Sequence, residues 1–74
     1  MKTATFISFT EGYFKFTFEN GEDMYFEEIH PKVLHQYDLK NDETYIDQEF
    51  KVIYSESNLD DDAMIYRIEN LKLL

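Results

Sequence analysis

Two histidines are the first side chains to consider for chemistry, because imidazole is a common metal ligand. His30 and His35 are five residues apart, so they would not share one helix face as ligands at i and i+4 do. His30 with Glu27 or Glu28 makes only a weak ligand set. We therefore expect a solvated histidine near a helix start, with no bound metal and no cofactor.

An acidic run, Asp60-Asp61-Asp62, follows Ser57-Asn58-Leu59. Its carboxylates could hold a hard cation, but the run lacks the alternating ligands, the glycine and the terminal glutamate of a calcium loop. We expect residues 57–62 to form an exposed acidic loop, and whether it binds a cation stays open. No serine, cysteine or lysine lies in a recognisable nucleophile motif, so we expect a protein that is not an enzyme.

Aromatic rings beside a cation offer a different chemistry, since they can stack on bases or sugars or anchor a protein interface. The candidates are Phe9, Tyr13, Lys15 and Tyr25. Whether they share a surface depends on the strands that carry them.

The strand pattern is clearest at Phe14, Phe16 and Phe18, which alternate with Lys15 and Thr17. Such period-two alternation is typical of a half-buried strand, predicted over residues 13–18. A three-residue loop over 19–21 would place Phe16 opposite Met24 and Phe14 opposite Phe26, which keeps the apolar set on one face. Gly21 would then take the left-handed position of a type I turn with a G1 bulge.

The same argument applies to the preceding hairpin, with strand one predicted over residues 3–9. A loop of Thr10, Glu11 and Gly12 would place Phe6 opposite Phe16 and Ala4 opposite Phe18. The outer face would then carry three rows: Phe9–Tyr13–Glu27, Ile7–Lys15–Tyr25 and Thr5–Thr17–Asp23. The four candidate binding residues would lie together on this face.

The remaining chain alternates between apolar and polar segments. Strand three is predicted over residues 23–29, a short helix from Pro31 to about Tyr37 with Leu39 packing beneath it, strand four over 49–56 and strand five over 63–73. The apolar pattern shifts phase between Ile68 and Leu71, which predicts a β-bulge near Glu69 and Asn70. The expected core is Phe14, Phe16, Phe26, Phe50, Val52 and Ile68.

Length and charge bound the class of protein. The chain has 74 residues, no cysteine and a formal net charge of −9. We expect one domain over residues 1–74, without a signal peptide or a transmembrane segment, in a reducing, cytoplasmic compartment. The negative charge opposes binding to nucleic acid and to anionic membranes, and it favours a partner protein with a neutral or basic surface.

The predicted order β-β-β-α-β-β is that of an all-β, OB-fold-like five-stranded barrel with one short helix. An SH3-like barrel is the alternative. The segment Tyr45-Ile46-Asp47-Gln48-Glu49-Phe50-Lys51-Val52-Ile53-Tyr54, followed by Tyr66-Arg67-Ile68-Glu69-Asn70-Leu71, resembles the end of small bacterial OB-like proteins of unknown function. Such proteins often have a glycine before strand four, where this chain has Asp47.

These expectations combine into a non-enzymatic binding module. Its most favoured partner is another protein, bound through the outer face of strands one to three. The alternative is binding of single-stranded nucleic acid or an oligosaccharide on the face of strands two and three.

Overall fold

The computed structural model of the protein describes residues 2–60 and 63–74, and for Leu59 and Asp60 only the backbone. Its elements follow the chain in this order: β1 (Lys2–Thr10), β2 (Tyr13–Phe18), β3 (Asp23–Phe26), β4 (Glu28–Ile29), α1 (Pro31–Gln36), a 3-10 turn (Glu43–Tyr45), β5 (Glu49–Asp60) and β6 (Ala63–Leu73). The strands form one sheet in the order β3-β2-β1-β5-β6-β4. The prediction of a mostly β protein with one short helix is confirmed.

The sheet is strongly curled but not closed. Its two edge strands, β3 and β4, are separated in sequence only by Glu27, yet β3 pairs with β2 whereas β4 pairs with β6 in parallel. The chain therefore crosses directly from one edge of the sheet to the other, which requires the sheet to curl. The predicted single strand over 23–29 is wrong for this reason, and the predicted five-stranded barrel is not confirmed.

The core fills the concave side of the curled sheet. All six predicted core residues are buried, with exposed fractions of 2% or less, and they belong to one cluster. Phe16 is at its centre, with ring centroids 5.3 Å from Phe6, 5.8 Å from Phe26 and 6.3 Å from Phe50. Burial of these rings removes a large apolar area from water and so stabilises the fold.

The β2–β3 hairpin has the predicted register. Phe14 pairs with Phe26 and Phe16 with Met24. The Phe18 N–H donates to the Glu22 carbonyl at 2.8 Å, and the Gly21 N–H donates to the Phe18 carbonyl at 2.8 Å. Gly21 has φ +85°, so the three-residue loop with a left-handed glycine is confirmed.

The β1–β2 hairpin differs from its prediction. Phe6 pairs with Phe16 and Ala4 with Phe18 as expected, but Thr10 pairs with Tyr13, so the turn contains only Glu11 and Gly12. The turn is one residue shorter than predicted, and the extra residue of β1 is Ile7, which forms a bulge between Phe6 and Ser8. A bulge of this kind exchanges the faces of the residues beyond it, so the predicted rows beginning at Ile7 and Phe9 are wrong.

The helix α1 is built as its sequence indicates. Pro31 occupies the first turn, and the His30 side chain caps it by accepting from the Lys32 N–H. Val33 is buried against the sheet and Leu39 is buried just after the helix. The helix ends at Gln36, and Tyr37 is its C-cap rather than its last residue.

The β5–β6 hairpin is longer than predicted. Ser57 pairs with Ile65 and Asn58 with Met64, so the expected loop over 57–62 is a strand as far as Asp60, while Asp61 and Asp62 lie outside the described residues. Cross-strand pairing overrides the weak strand preference of these polar residues. Ile53 pairs with Asn70 and Tyr54 with Ile68, which leaves Glu69 as the extra residue of the predicted bulge.

Among the residues that the structure describes, two that are not glycine adopt left-handed backbone: Glu11 at φ 54° in the first turn and Asp47 at φ 70° before β5. At both sites a side chain is held in a conformation that disfavours most L-residues.

We expect Glu11→Asn to raise the free energy of unfolding by about 0.5–1 kcal/mol, because Asn-Gly is the preferred pair where both central turn residues have positive φ. Urea denaturation followed by circular dichroism measures the change. Glu11→Ala is the matched control, since it removes the same carboxylate without easing the backbone. Equal stability of the two variants would show that the left-handed backbone does not limit stability here.

Candidate functional site

The outer face of β2 and β3 presents two tyrosines that flank a lysine. Lys15 pairs directly with Tyr25, and Tyr13 lies two residues before Lys15 on the same strand. The exposed fractions are 41% for Tyr13 and 53% for Tyr25, and such exposure of large rings marks them as available for contact. We call Tyr13, Lys15 and Tyr25 the outer patch.

Lys15 is held in place by its neighbours. Its Nζ lies 5.7 Å from the centroid of the Tyr25 ring and 3.8 Å from Asp23 Oδ2. The other oxygen of that carboxylate, Oδ1, accepts a hydrogen bond of 2.7 Å from the Thr17 hydroxyl. The positive charge of Lys15 is therefore compensated locally, and the patch has little field with which to attract a phosphate.

Phe9, the fourth predicted site residue, does not join the outer patch. Because of the bulge at Ile7, Phe9 pairs with Phe14 on the core side of the sheet, with ring centroids 4.6 Å apart. Lys40 Nζ lies over the Phe9 ring, 5.6 Å from its centroid. The structure thus brings together three of the four predicted residues, and Ser8 takes the expected place of Ile7 opposite Lys15.

His30 has a structural role at the start of α1. His30 Nδ1 accepts a hydrogen bond of 3.1 Å from the Lys32 N–H, which caps the helix. Among the side chains described, those of residues 2–58 and 63–74, no three His, Asp or Glu are grouped so that they could hold a metal ion. The possible cation loop at 60–62 falls largely outside the described residues.

Hydrogen bonding holds the pKa of the Asp42 carboxyl below its ordinary value. The cause is hydrogen bonding to the charged form, first from the Thr44 hydroxyl and then from the Thr44 N–H, at 2.6 and 3.0 Å from Oδ1. These bonds cap the 3-10 turn that leads into β5. Because the folded pKa is lowered, this capping stabilises the fold above the pKa of the unfolded chain and is lost as pH falls through the folded pKa.

We expect Thr44→Val to raise the pKa of Asp42 towards the ordinary aspartate value. The substitution removes the hydroxyl, whose hydrogen bond lowers the pKa more than that of the Thr44 N–H, which remains. A pH titration of side-chain carboxyl ¹³C shifts by NMR measures this directly. Thr44→Ser, which keeps both the hydroxyl and the N–H that donate to Asp42, is the matched control and should leave the Asp42 titration unchanged. An unchanged Asp42 titration in the Thr44→Val protein would assign the shift to another cause.

Sequence reasoning missed a second surface, formed mainly by β1, β2 and β5. There the rings of Phe18 and Tyr54 lie 6.0 Å apart, and Tyr54 also contacts Phe26 and Tyr66 at 5.4 and 6.3 Å. A cleft of about 310 Å³ opens beside Phe18 and Met24. The alternation of Phe50, Val52 and Tyr54 along β5 indicates that Tyr54 lies on the same face as the core residues. The position of the cleft, however, depends on the register of β1 with β5.

No protein-family model, no curated protein and no solved structure matches the chain significantly. No helix of the described residues is long and apolar enough to cross a membrane. The fold and the outer patch together describe a small, mostly β protein with two exposed tyrosines on one face of its sheet.

Proposed function

We propose that this protein is a non-enzymatic binding module that engages another protein through the outer patch. The observation that carries the proposal is the pair of exposed tyrosines on hydrogen-bonded strands, on either side of a lysine that is already neutralised by Asp23. Tyrosine is enriched at protein interfaces because it offers a large rigid contact area with a polar end. Contacts mounted on paired strands need little ordering on binding.

Charge favours a partner with a neutral or basic surface. Asp23 is exposed beside Lys15, Glu27 is exposed after β3, and the chain carries a net charge of −9. Acidic groups around an aromatic centre complement basic groups around the contact site of the partner. The same distribution repels the phosphates of a nucleic acid.

The alternative ligand is a single-stranded nucleic acid or an oligosaccharide stacked on Tyr13 and Tyr25. An OB-like arrangement would suit it, and we propose that β3 and β4 are one interrupted strand of such a five-stranded barrel, with the helix before the fourth strand. The crossing of the chain at Glu27 supports this arrangement. Through-hydrogen-bond NMR couplings between residues 26–29 and β6 would test it, since a barrel requires pairing along that whole segment.

We expect no binding of single-stranded oligonucleotides or neutral oligosaccharides at about 150 mM salt, where charge is screened within roughly 8 Å. A partner protein, captured from the native host by cross-linking and then purified, should lose about tenfold or more in affinity with Tyr13→Ala or Tyr25→Ala. Isothermal titration calorimetry measures both.

Ile53→Ala is the matched control, because Ile53 is an exposed apolar residue on β5, outside the patch. It should leave the affinity for the partner unchanged. Micromolar binding of oligonucleotides that is abolished by Tyr13→Ala or Tyr25→Ala would reject the protein-binding proposal in favour of the alternative.

A further inference from the structure

The strand β5 extends beyond its neighbour β1. Their pairing runs from Thr5 opposite Glu49 to Lys2 opposite Val52, whereas β5 itself continues to Asp60. On its other side β5 stays paired with β6 throughout. Among the residues that the structure describes, none pairs with the β1 side of β5 from Ile53 to Asn58, and we call this stretch the free edge.

The backbone groups along the free edge alternate in direction. The Leu74 N–H donates to the Glu49 carbonyl from the β6 side, and the Phe6 N–H donates to the Gln48 carbonyl from the β1 side. Continuing this alternation along β5 points the N–H and C=O groups of Tyr54, Glu56 and Asn58 towards the free edge. An extended peptide at this edge could form backbone hydrogen bonds with these N–H and C=O groups.

Side chains beside the free edge line two clefts. One cleft, about 310 Å³, includes Phe18, Met24, Glu19 and Glu22 in its lining, and the other, about 450 Å³, includes Tyr54 and Glu56. Lys2 lines both clefts, and its Nζ lies 5.9 Å from the Tyr54 centroid. Both clefts therefore combine apolar or aromatic side chains with charged ones.

The charges at the two clefts indicate which kind of ligand would bind there. Glu19, Glu22 and Glu56 are exposed in their linings and outnumber Lys2. A second copy of the chain would bring the same acidic groups to the edge, and two molecules of net charge −9 repel each other. A basic segment is attracted by the same groups.

We propose that the free edge binds an extended peptide of basic and apolar residues by strand addition, antiparallel to β5 in the position that continues β1. This surface is distinct from the outer patch, so the inference goes beyond the proposed function. Tyr54 and Glu56 lie on the same face of β5, and an antiparallel peptide meets Glu56 before Tyr54. The peptide therefore carries a lysine or arginine opposite Glu56 and, two residues later, an apolar side chain opposite Tyr54.

The test uses the full chain and a synthetic probe, acetyl-Thr-Lys-Thr-Lys-Thr-Val-Thr-amide with a fluorescent label. Fluorescence anisotropy should show saturable binding with a dissociation constant below about 1 mM. In ¹H–¹⁵N NMR spectra the amides of residues 53–57 should shift, and those of Tyr54 and Glu56 should exchange more slowly with solvent. Absence of saturable binding, or shifts confined to the outer patch, would overturn the proposal.

Two altered probes separate the contributions of backbone and charge. Methylation of the peptide nitrogens that face β5 removes the pairing donors, and glutamate in place of both lysines reverses the charge. Each change should weaken binding about tenfold or more. If the methylated probe binds as well as the original, strand addition is excluded.

Variants of the protein give an independent test. Glu56→Pro removes an N–H that faces the free edge, a position at which an edge strand tolerates proline, and should abolish binding. Glu56→Gln keeps that N–H and should weaken binding only a few-fold, while Tyr25→Ala should leave it unchanged, which separates this site from the outer patch. If Glu56→Pro fails to fold, the methylated probe decides. Dimerisation through residues 53–58, detected by sedimentation and by amide shifts that depend on protein concentration, would overturn the proposal.

Discussion

We expect Phe16→Ala to lower the free energy of unfolding by about 3–5 kcal/mol. The Phe16 side chain is 0% exposed, and its ring contacts Phe6 of β1, Phe26 of β3 and Phe50 of β5. Truncation would lose the burial of the ring and leave a cavity bounded by three strands that cannot all move inward. Since small domains are stable by roughly 5–15 kcal/mol, this loss is a large share of the total.

Urea denaturation followed by circular dichroism measures the effect, and Tyr25→Ala is the matched control. Tyr25 is also an aromatic residue of the same hairpin, but it is 53% exposed on the opposite face. Its replacement should cost about 1 kcal/mol or less. Similar losses for the two variants would contradict the assignment of the faces of β2 and β3.

The features that followed from the sequence are those determined by local pattern. The alternation at Phe14, Phe16 and Phe18 defines β2, and only one register of β2 with β3 keeps apolar residues together. Tyr13, Lys15 and Tyr25 come to one surface as a consequence of that register. The phase shift between Ile68 and Leu71 likewise revealed the bulge at Glu69.

The features that could not be predicted from the sequence depend on which of two similar strand registers is more stable. In Phe6-Ile7-Ser8-Phe9, strict alternation would bury Ser8 and expose Phe9. The bulge at Ile7 instead packs Phe9 on Phe14, because burying a phenylalanine gains more than a regular ladder loses at one residue. No local pattern distinguishes these outcomes, so Phe9 was placed on the wrong face.

Longer-range pairing explains the other differences. Ser57 and Asn58 have low strand preference, but their partners on β6 extend the hairpin through them. The chain crosses between sheet edges at Glu27 because β4 finds a parallel partner in β6, distant in sequence. The described pairing of β1 with β5 reaches Lys2 opposite Val52, and this offset between two strands cannot be derived from either strand alone.

We expect Gly21→Val to lower the free energy of unfolding by about 1–2 kcal/mol, the second largest effect on stability. Gly21 has φ +85°, and a Cβ at this position would meet no heavy atom within 4 Å. The cost therefore arises from the backbone alone, since a β-branched L-residue is strained at positive φ. The turn must keep this conformation because the Gly21 N–H bonds to the Phe18 carbonyl and so closes the hairpin.

D-alanine at position 21, introduced by chemical synthesis of the chain, separates backbone strain from side-chain crowding. A D-residue prefers positive φ, and the open space around the position admits its methyl group, so stability should equal or exceed that of the natural protein. Urea denaturation of the natural, Gly21→Val and D-alanine proteins gives the comparison. A loss with D-alanine as large as that with valine would mean that Gly21 is required for space rather than for its left-handed backbone.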